Sequence, residues 1–196
     1  MAITEIVTVS VNPDPANLEH VEKIFPGLKK YFTDPNPGIL SMFRGWALEV
    51  EWNEAASFHN FIGSDKFKEF AGLVKPFVLG PPELQLFETN QSPTEPASSP
   101  VVEIYRVSVA SDKVSEARAA WEDSVQKLNA KAGVKAKLTH GKSLNLQEDV
   151  VLGILGWESL EERDNATDDP EFMAGLDRLR ALGNLSEAVV EFDCLI

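Results

Sequence analysis

Three histidines, two tyrosines and one cysteine are among the residues able to do proton-transfer or nucleophilic chemistry in this chain of 196 residues. His140 lies in an alternating segment between Thr139 and Gly141, and His59 lies beside Phe58 with Ile62 close behind. An imidazole titrates near neutral pH, so either could act as a general base toward an acidic C–H bond or a phenol. Tyr105 brings a hydroxyl to a segment whose counterpart earlier in the chain has Val7. Arg44 could meet an anionic or carbonyl oxygen. Trp46, Trp52 and Trp157 could wall a pocket for a flat aromatic molecule. Tyr105, Trp52 and Trp157 also fit an ordinary packed core, and His20, opposite Val21 and Ile24, reads as an exposed helix residue.

Other chemistries leave no trace. The chain has no Gly-rich phosphate loop, no Walker-type run, no serine nucleophile elbow and no paired-histidine metal signature. Any enzyme here is therefore expected to work without a cofactor and without a metal. The acidic runs Glu161-Glu162-Arg163-Asp164 and Asp168-Asp169 read as a solvated helix start and a loop. A lone Cys194 can form no internal disulfide, and beside Phe192, Leu195 and Ile196 it is expected to be a buried, inert thiol.

The formal net charge of -13 opposes a nucleic acid or an anionic membrane as partner. Lys131, Lys135, Lys137 and Lys142 form the densest basic group and read as a solvated strand edge. No apolar run approaches the roughly 20 residues of a membrane span, and the first residues alternate like a strand instead of forming a leader. A cytoplasmic protein with a small hydrophobic molecule as partner is the expectation.

The elements that must position these residues come twice. Glu5-Ile6-Val7-Thr8-Val9-Ser10-Val11 returns as Glu103-Ile104-Tyr105-Arg106-Val107-Ser108-Val109, five of seven positions being identical at an offset of 98. Trp52, Phe67 and Phe87 return as Trp157, Phe172 and Phe192 at an offset of 105. The seven extra residues fit the polar connection Ser143–Asp149. Residues 90–100, rich in Pro and Ser, read as an unordered linker between a first repeat over 1–89 and a second over 101–196.

Apolar spacing within each repeat runs strand, helix, hairpin, helix, strand. In the first, residues 4–11 alternate, Leu18, Val21, Ile24 and Leu28 have helical spacing, and Pro26-Gly27 should break or kink that helix near its middle. A hairpin over 39–52, a helix from Ala55 and a strand over 84–87 follow. The second repeat has strands over 101–109, 136–141, 150–157 and 188–194, with helices over 112–131 and 160–182. The fold class is α+β: tandem ferredoxin-like βαββαβ repeats, each with an apolar sheet face that the other covers, forming an intramolecular, pseudo-dimeric α+β barrel.

The segments Trp52-Asn53-Glu54-Ala55-Ala56-Ser57-Phe58-His59-Asn60-Phe61 with Ser64-Asp65-Lys66-Phe67, and Trp157-Glu158-Ser159-Leu160-Glu161-Glu162 with Asp169-Pro170-Glu171-Phe172, carry a family likeness. The chain resembles the dimeric α+β barrel superfamily, in particular its antibiotic-biosynthesis-monooxygenase-like branch in a tandem single-chain form seen in fungi. The resemblance implies a fold shared by cofactor-free monooxygenases, polyketide cyclases, lyases, haem-degrading enzymes and stress-response proteins, so it does not choose a reaction. Haem-degrading members place a histidine where this chain has Phe61 and Ala166, and the plant-type stress branch places one where it has Phe67 and Phe172. Cyclases of the superfamily pair Tyr with His, which makes His140 with Tyr105 the sharpest catalytic pair, with His59 a further candidate base. The resemblance implies cyclisation, rearrangement or oxygenation of an aromatic or polyketide-like molecule in one functional repeat, or else a non-catalytic ligand-binding or stress-response barrel. A homodimer of the pseudo-dimeric chain is compatible with either.

Overall fold

The structure, a computed structural model, describes residues 2–45, 47–131 and 137–196. Its N-terminal half contains β1 (Ala2–Thr8), α1 (Pro15–Leu28), α2 (Lys30–Thr33), β2 (Ile39–Arg44), β3 (Leu48–Trp52), α3 (Ala55–Ile62), α4 (Asp65–Val74) and β4 (Glu83–Thr89). A helical turn, α5 (Thr94–Ala97), leads to β5 (Val101–Val109), α6 (Val114–Asn129), β6 (Lys137–Ser143), β7 (Asp149–Trp157), α7 (Leu160–Thr167), α8 (Pro170–Leu182), β8 (Gly183–Val190) and β9 (Asp193–Cys194).

Helix boundaries follow local chemistry. Asp14 caps α1 through the Ala16 amide, and Pro15 takes the first turn, where a missing N–H costs nothing. Pro26, expected to break or kink the helix near its middle, lies within α1 close to its end at Leu28, and the chain resumes at once as α2. The single helix expected over 160–182 is two, because Asp169 caps the Glu171 and Phe172 amides at 2.9 and 3.1 Å and Pro170 starts a new first turn.

All strand pairs are antiparallel, in the order β8-β5-β7-β6-β4-β1-β3-β2-β9. The outermost strands β8 and β9 are successive parts of one C-terminal segment, so this segment, paired with β5 through β8 and with β2 through β9, joins the two ends of the sheet. Both joints between halves have the same register. Thr89 faces Gly141 across β4 and β6, and Cys194 faces Phe43 across β9 and β2. Offsets of 105 and 98 carry one joint onto the other, as a two-fold relation requires. The longer hairpin connection is the one between Ser143 and Asp149.

Helices cover the outside of the sheet over two apolar layers, one around Trp52, Phe58 and Phe61, the other around Trp121, Trp157 and Phe172. A third cluster, including Ile6, Phe87, Ile104, Leu152 and Ile154, lines the inside. Residues 90–100 are ordered, against the composition-based expectation: Pro93, Pro96, Ala97 and Ser99 are buried. Ser92 and Thr94 hydroxyls donate to the Glu51 carboxylate at 2.6 and 3.0 Å, so polar residues that cannot form a core of their own dock on a buried charge instead. Cys194 is exposed, not buried, because β9 has a strand partner on one side alone, β2. Among the described residues no helix is long and apolar enough to cross a membrane.

Candidate functional site

Tyr105, Gly153 and His140 face one another in a single row across β5, β7 and β6. The two proposed catalytic residues therefore share a sheet face, yet they do not meet. A β-carbon on Gly153 would collide with the Trp121 ring, so the indole occupies the space between them, 5.1 Å from the Tyr105 ring centre. Burial and the neighbouring Glu103 carboxylate push the Tyr105 hydroxyl far above its ordinary pKa, and it stays protonated. His140 is 6% exposed, its Nε2 lies 3.4 Å from a Glu122 oxygen, and its Nδ1 has no partner among the described residues. Burial lowers its pKa first of all, Arg118 adds to the lowering, and Glu122 opposes it.

The other expected residues are placed differently. His59 is exposed on α3 with its ring against Phe58, so it lines no pocket between sheet and helices; the buried side of this helix is taken by Ser57, Phe58 and Phe61. Arg44 is held by Glu22 at 3.0 Å and lies over the Phe25 ring, leaving no fork free for a ligand. Trp46 lies outside the described residues. Trp157 is core, its indole nitrogen buried without a partner among the described residues. Lys131 and Lys137 are paired with Asp169 and Glu158, and Lys135 lies outside the described residues.

Trp52 leads to a buried carboxyl. Its indole Nε1 donates to Glu5 Oε2 at 2.9 Å, and Glu5 is 4% exposed. Burial raises the Glu5 carboxyl to about 7, the Trp52 hydrogen bond opposing it. Glu103 is the counterpart at an offset of 98, and there Arg163 donates from Nε at 3.0 Å. One half thus neutralises its buried carboxylate with a guanidinium and the other leaves it to a neutral indole. A groove of about 480 Å³ opens between α1 and α4. Its floor residues Leu28 and Tyr31 belong to the same packed cluster as Trp52, and His20 stacks on Phe77 at its side. The matching groove between α6 and α8 is crossed by ion pairs of Asp123 with Lys127 and Arg178.

No family model and no curated protein matches this chain. Solved structures do. An anthrone oxidase-like protein superposes over 98% of this chain and 91% of its own, at 14% identity and a TM-score of 0.72. A proposed monooxygenase of Fusobacterium nucleatum covers 100% and 93% at 11% identity and a TM-score of 0.63. One of Lactobacillus acidophilus covers 100% and 94% at 13% identity and a TM-score of 0.61. The fold is the dimeric α+β barrel, closed within one chain.

Inside the barrel lie two more carboxylates, Glu49 and Glu51, both buried on β3. They alternate with Leu48, Val50 and Trp52, which face the helices. Read along the chain, the alternation Leu-Glu-Val-Glu-Trp marks a strand with one solvated face, and the burial of Glu49, Glu51 and Glu5 follows from the covering of both faces by the closed fold.

Proposed function

We propose that the chain is a cofactor-independent enzyme acting by acid/base chemistry on a small hydrophobic, aromatic or polyketide-like molecule, with Glu5 as the base and the N-terminal half as the functional one. The observation that carries this reading is the unequal treatment of Glu5 and Glu103, the first poised near neutrality, the second neutralised by Arg163. A carboxyl that titrates near 7 can take a proton from an acidic C–H bond or a phenol and hold it at neutral pH. The enolate or phenolate so formed can cyclise, rearrange or react with O2. Trp52 Nε1 fixes the orientation of the accepting group. The apolar groove between α1 and α4 supplies the approach, with Phe32, Phe61 and Trp52 as the aromatic layer a flat substrate would part.

The name of the anthrone oxidase-like neighbour suggests anthrone in air as the first substrate to test, by O2 uptake with chelator-treated protein. Turnover rising through pH 7 and falling by ~100-fold or more in Glu5→Gln is expected. Equal turnover by Glu5→Gln would remove Glu5 from the chemistry. A second reading, a non-catalytic container for an apolar ligand, is favoured by the burial of Glu5 beneath that aromatic layer; tight binding of anthrone without O2 uptake selects it.

A further inference from the structure

We propose that the interior of the barrel is a second site, separate from Glu5, that binds a small primary amine. Two buried side chains point there with nothing to bond. Glu49 is 0% exposed and neither of its carboxylate oxygens has a partner among the described residues. Gln85 is 5% exposed and its Oε1 likewise has none. Both stand directly opposite Ile6, Glu49 from β3 and Gln85 from β4, so they share the inner face of the sheet in one row. Ile6, Phe87, Ile104 and Leu152 supply apolar walls.

The fold does not need polarity at these places. The offset of 105 takes Glu49 to Ile154 and Gln85 to Val190, and both of these are buried in the interior cluster. An unpaired buried carboxyl and an unpaired buried amide oxygen each cost stability, so two together where the other half has Ile and Val call for a ligand.

In the row of Ile6 the unpaired atoms are three oxygens, all acceptors once the Glu49 carboxyl has given up its proton, on strands about 10 Å apart with β1 between them; Arg106 Nε, on β5 elsewhere on this face, is a buried donor also without a partner among the described residues. A primary ammonium offers three N–H donors and one positive charge. A single water offers two donors and leaves one oxygen unpaired. Burial first, then the charges of Glu51 and Glu5, hold the Glu49 carboxyl well above its ordinary range, so the unliganded group carries a proton. A neutral amine that enters takes that proton, and an ammonium–carboxylate pair forms with no net change in charge. The carbon chain of the amine packs on these apolar walls. Residues 90–100, through Ser92 and Thr94 on Glu51 and through Pro96 and Ser99 against Gly156, cross one mouth of this interior.

The test is titration of the full chain with n-butylamine at pH 8, read by calorimetry and by thermal denaturation, with n-butanol as the isosteric neutral control. The expected result is one saturable site per chain in the wild type, weakened at least tenfold in Glu49→Gln, retained in Glu5→Gln, and absent with n-butanol. No saturable heat, equal affinity in Glu49→Gln, or equal binding of n-butanol overturns the proposal. Should Glu49→Gln fail to fold, Gln85→Leu answers the same question: severalfold weaker binding supports the site and unchanged binding overturns it. Retention in Glu5→Gln separates this site from the proposed catalytic one; binding lost in Glu5→Gln and kept in Glu49→Gln overturns it.

Discussion

Glu5 and Glu103 occupy matched positions of the two halves, yet Glu5 accepts from the Trp52 indole at 2.9 Å while Glu103 accepts from Arg163 at 3.0 Å. One helix position accounts for the difference: at an offset of 105, Phe58 stands where Arg163 stands. A phenyl ring there packs on Trp52 and leaves the carboxylate below without a cation.

Arg163→Met should strand the fully buried Glu103 and cost about 3–5 kcal/mol in urea unfolding. Adding Glu103→Gln should recover most of that loss, because the double variant no longer buries an unpaired charge. A single variant as stable as the wild type would show that the pair contributes nothing.

The Glu5 carboxyl is raised from 4.5 to about 7 in the folded state. The native state therefore holds the Glu5 proton more tightly than the unfolded one. Its contribution is full below about pH 4.5 and is lost as pH rises toward 7, amounting to roughly 3 kcal/mol. Glu5→Gln should flatten this part of the stability profile and raise stability at pH 8 by a similar amount. Parallel profiles for the two proteins between pH 4.5 and 8 would contradict the assignment.

Gly153→Ala should force the Trp121 ring out of its place over the strand and destabilise by about 1–3 kcal/mol, as overpacking does. Near-ultraviolet circular dichroism, which reports the Trp121 and Tyr105 environment, should lose intensity in step. An unchanged spectrum would mean that the ring has room to move.

Thr94→Val combined with Ser92→Ala removes the two short hydroxyl donors to Glu51, and should cost about 1–3 kcal/mol. Limited proteolysis within residues 90–100 should accelerate in the same variant. Cleavage at the wild-type rate would show that the segment is held by its apolar contacts alone.

Much of the architecture was legible from local pattern. Alternation over 101–109 and 150–157 marks strands whose limits the structure reproduces, and the constant offset of 105 links Trp52 to Trp157 in the two equivalent helix layers. The site residues were less legible. His140, Tyr105 and His59 stand out in the sequence because imidazole and phenol are chemically conspicuous. The acids on β1 and β3 look like ordinary surface residues until both faces of their strands are known to be covered.

By itself the sequence determined the order of elements, the faces of each strand and the place of the seven-residue insertion, since these depend on spacing along a chain of fixed geometry. Tertiary structure alone decided which buried acid meets Arg163 and which meets Trp52, that Trp121 takes the space left by Gly153, and that residues 90–100 dock on Glu51. Those outcomes rest on contacts between residues far apart in the chain, and the protonation of a buried carboxyl depends on every charge and donor that folding brings around it.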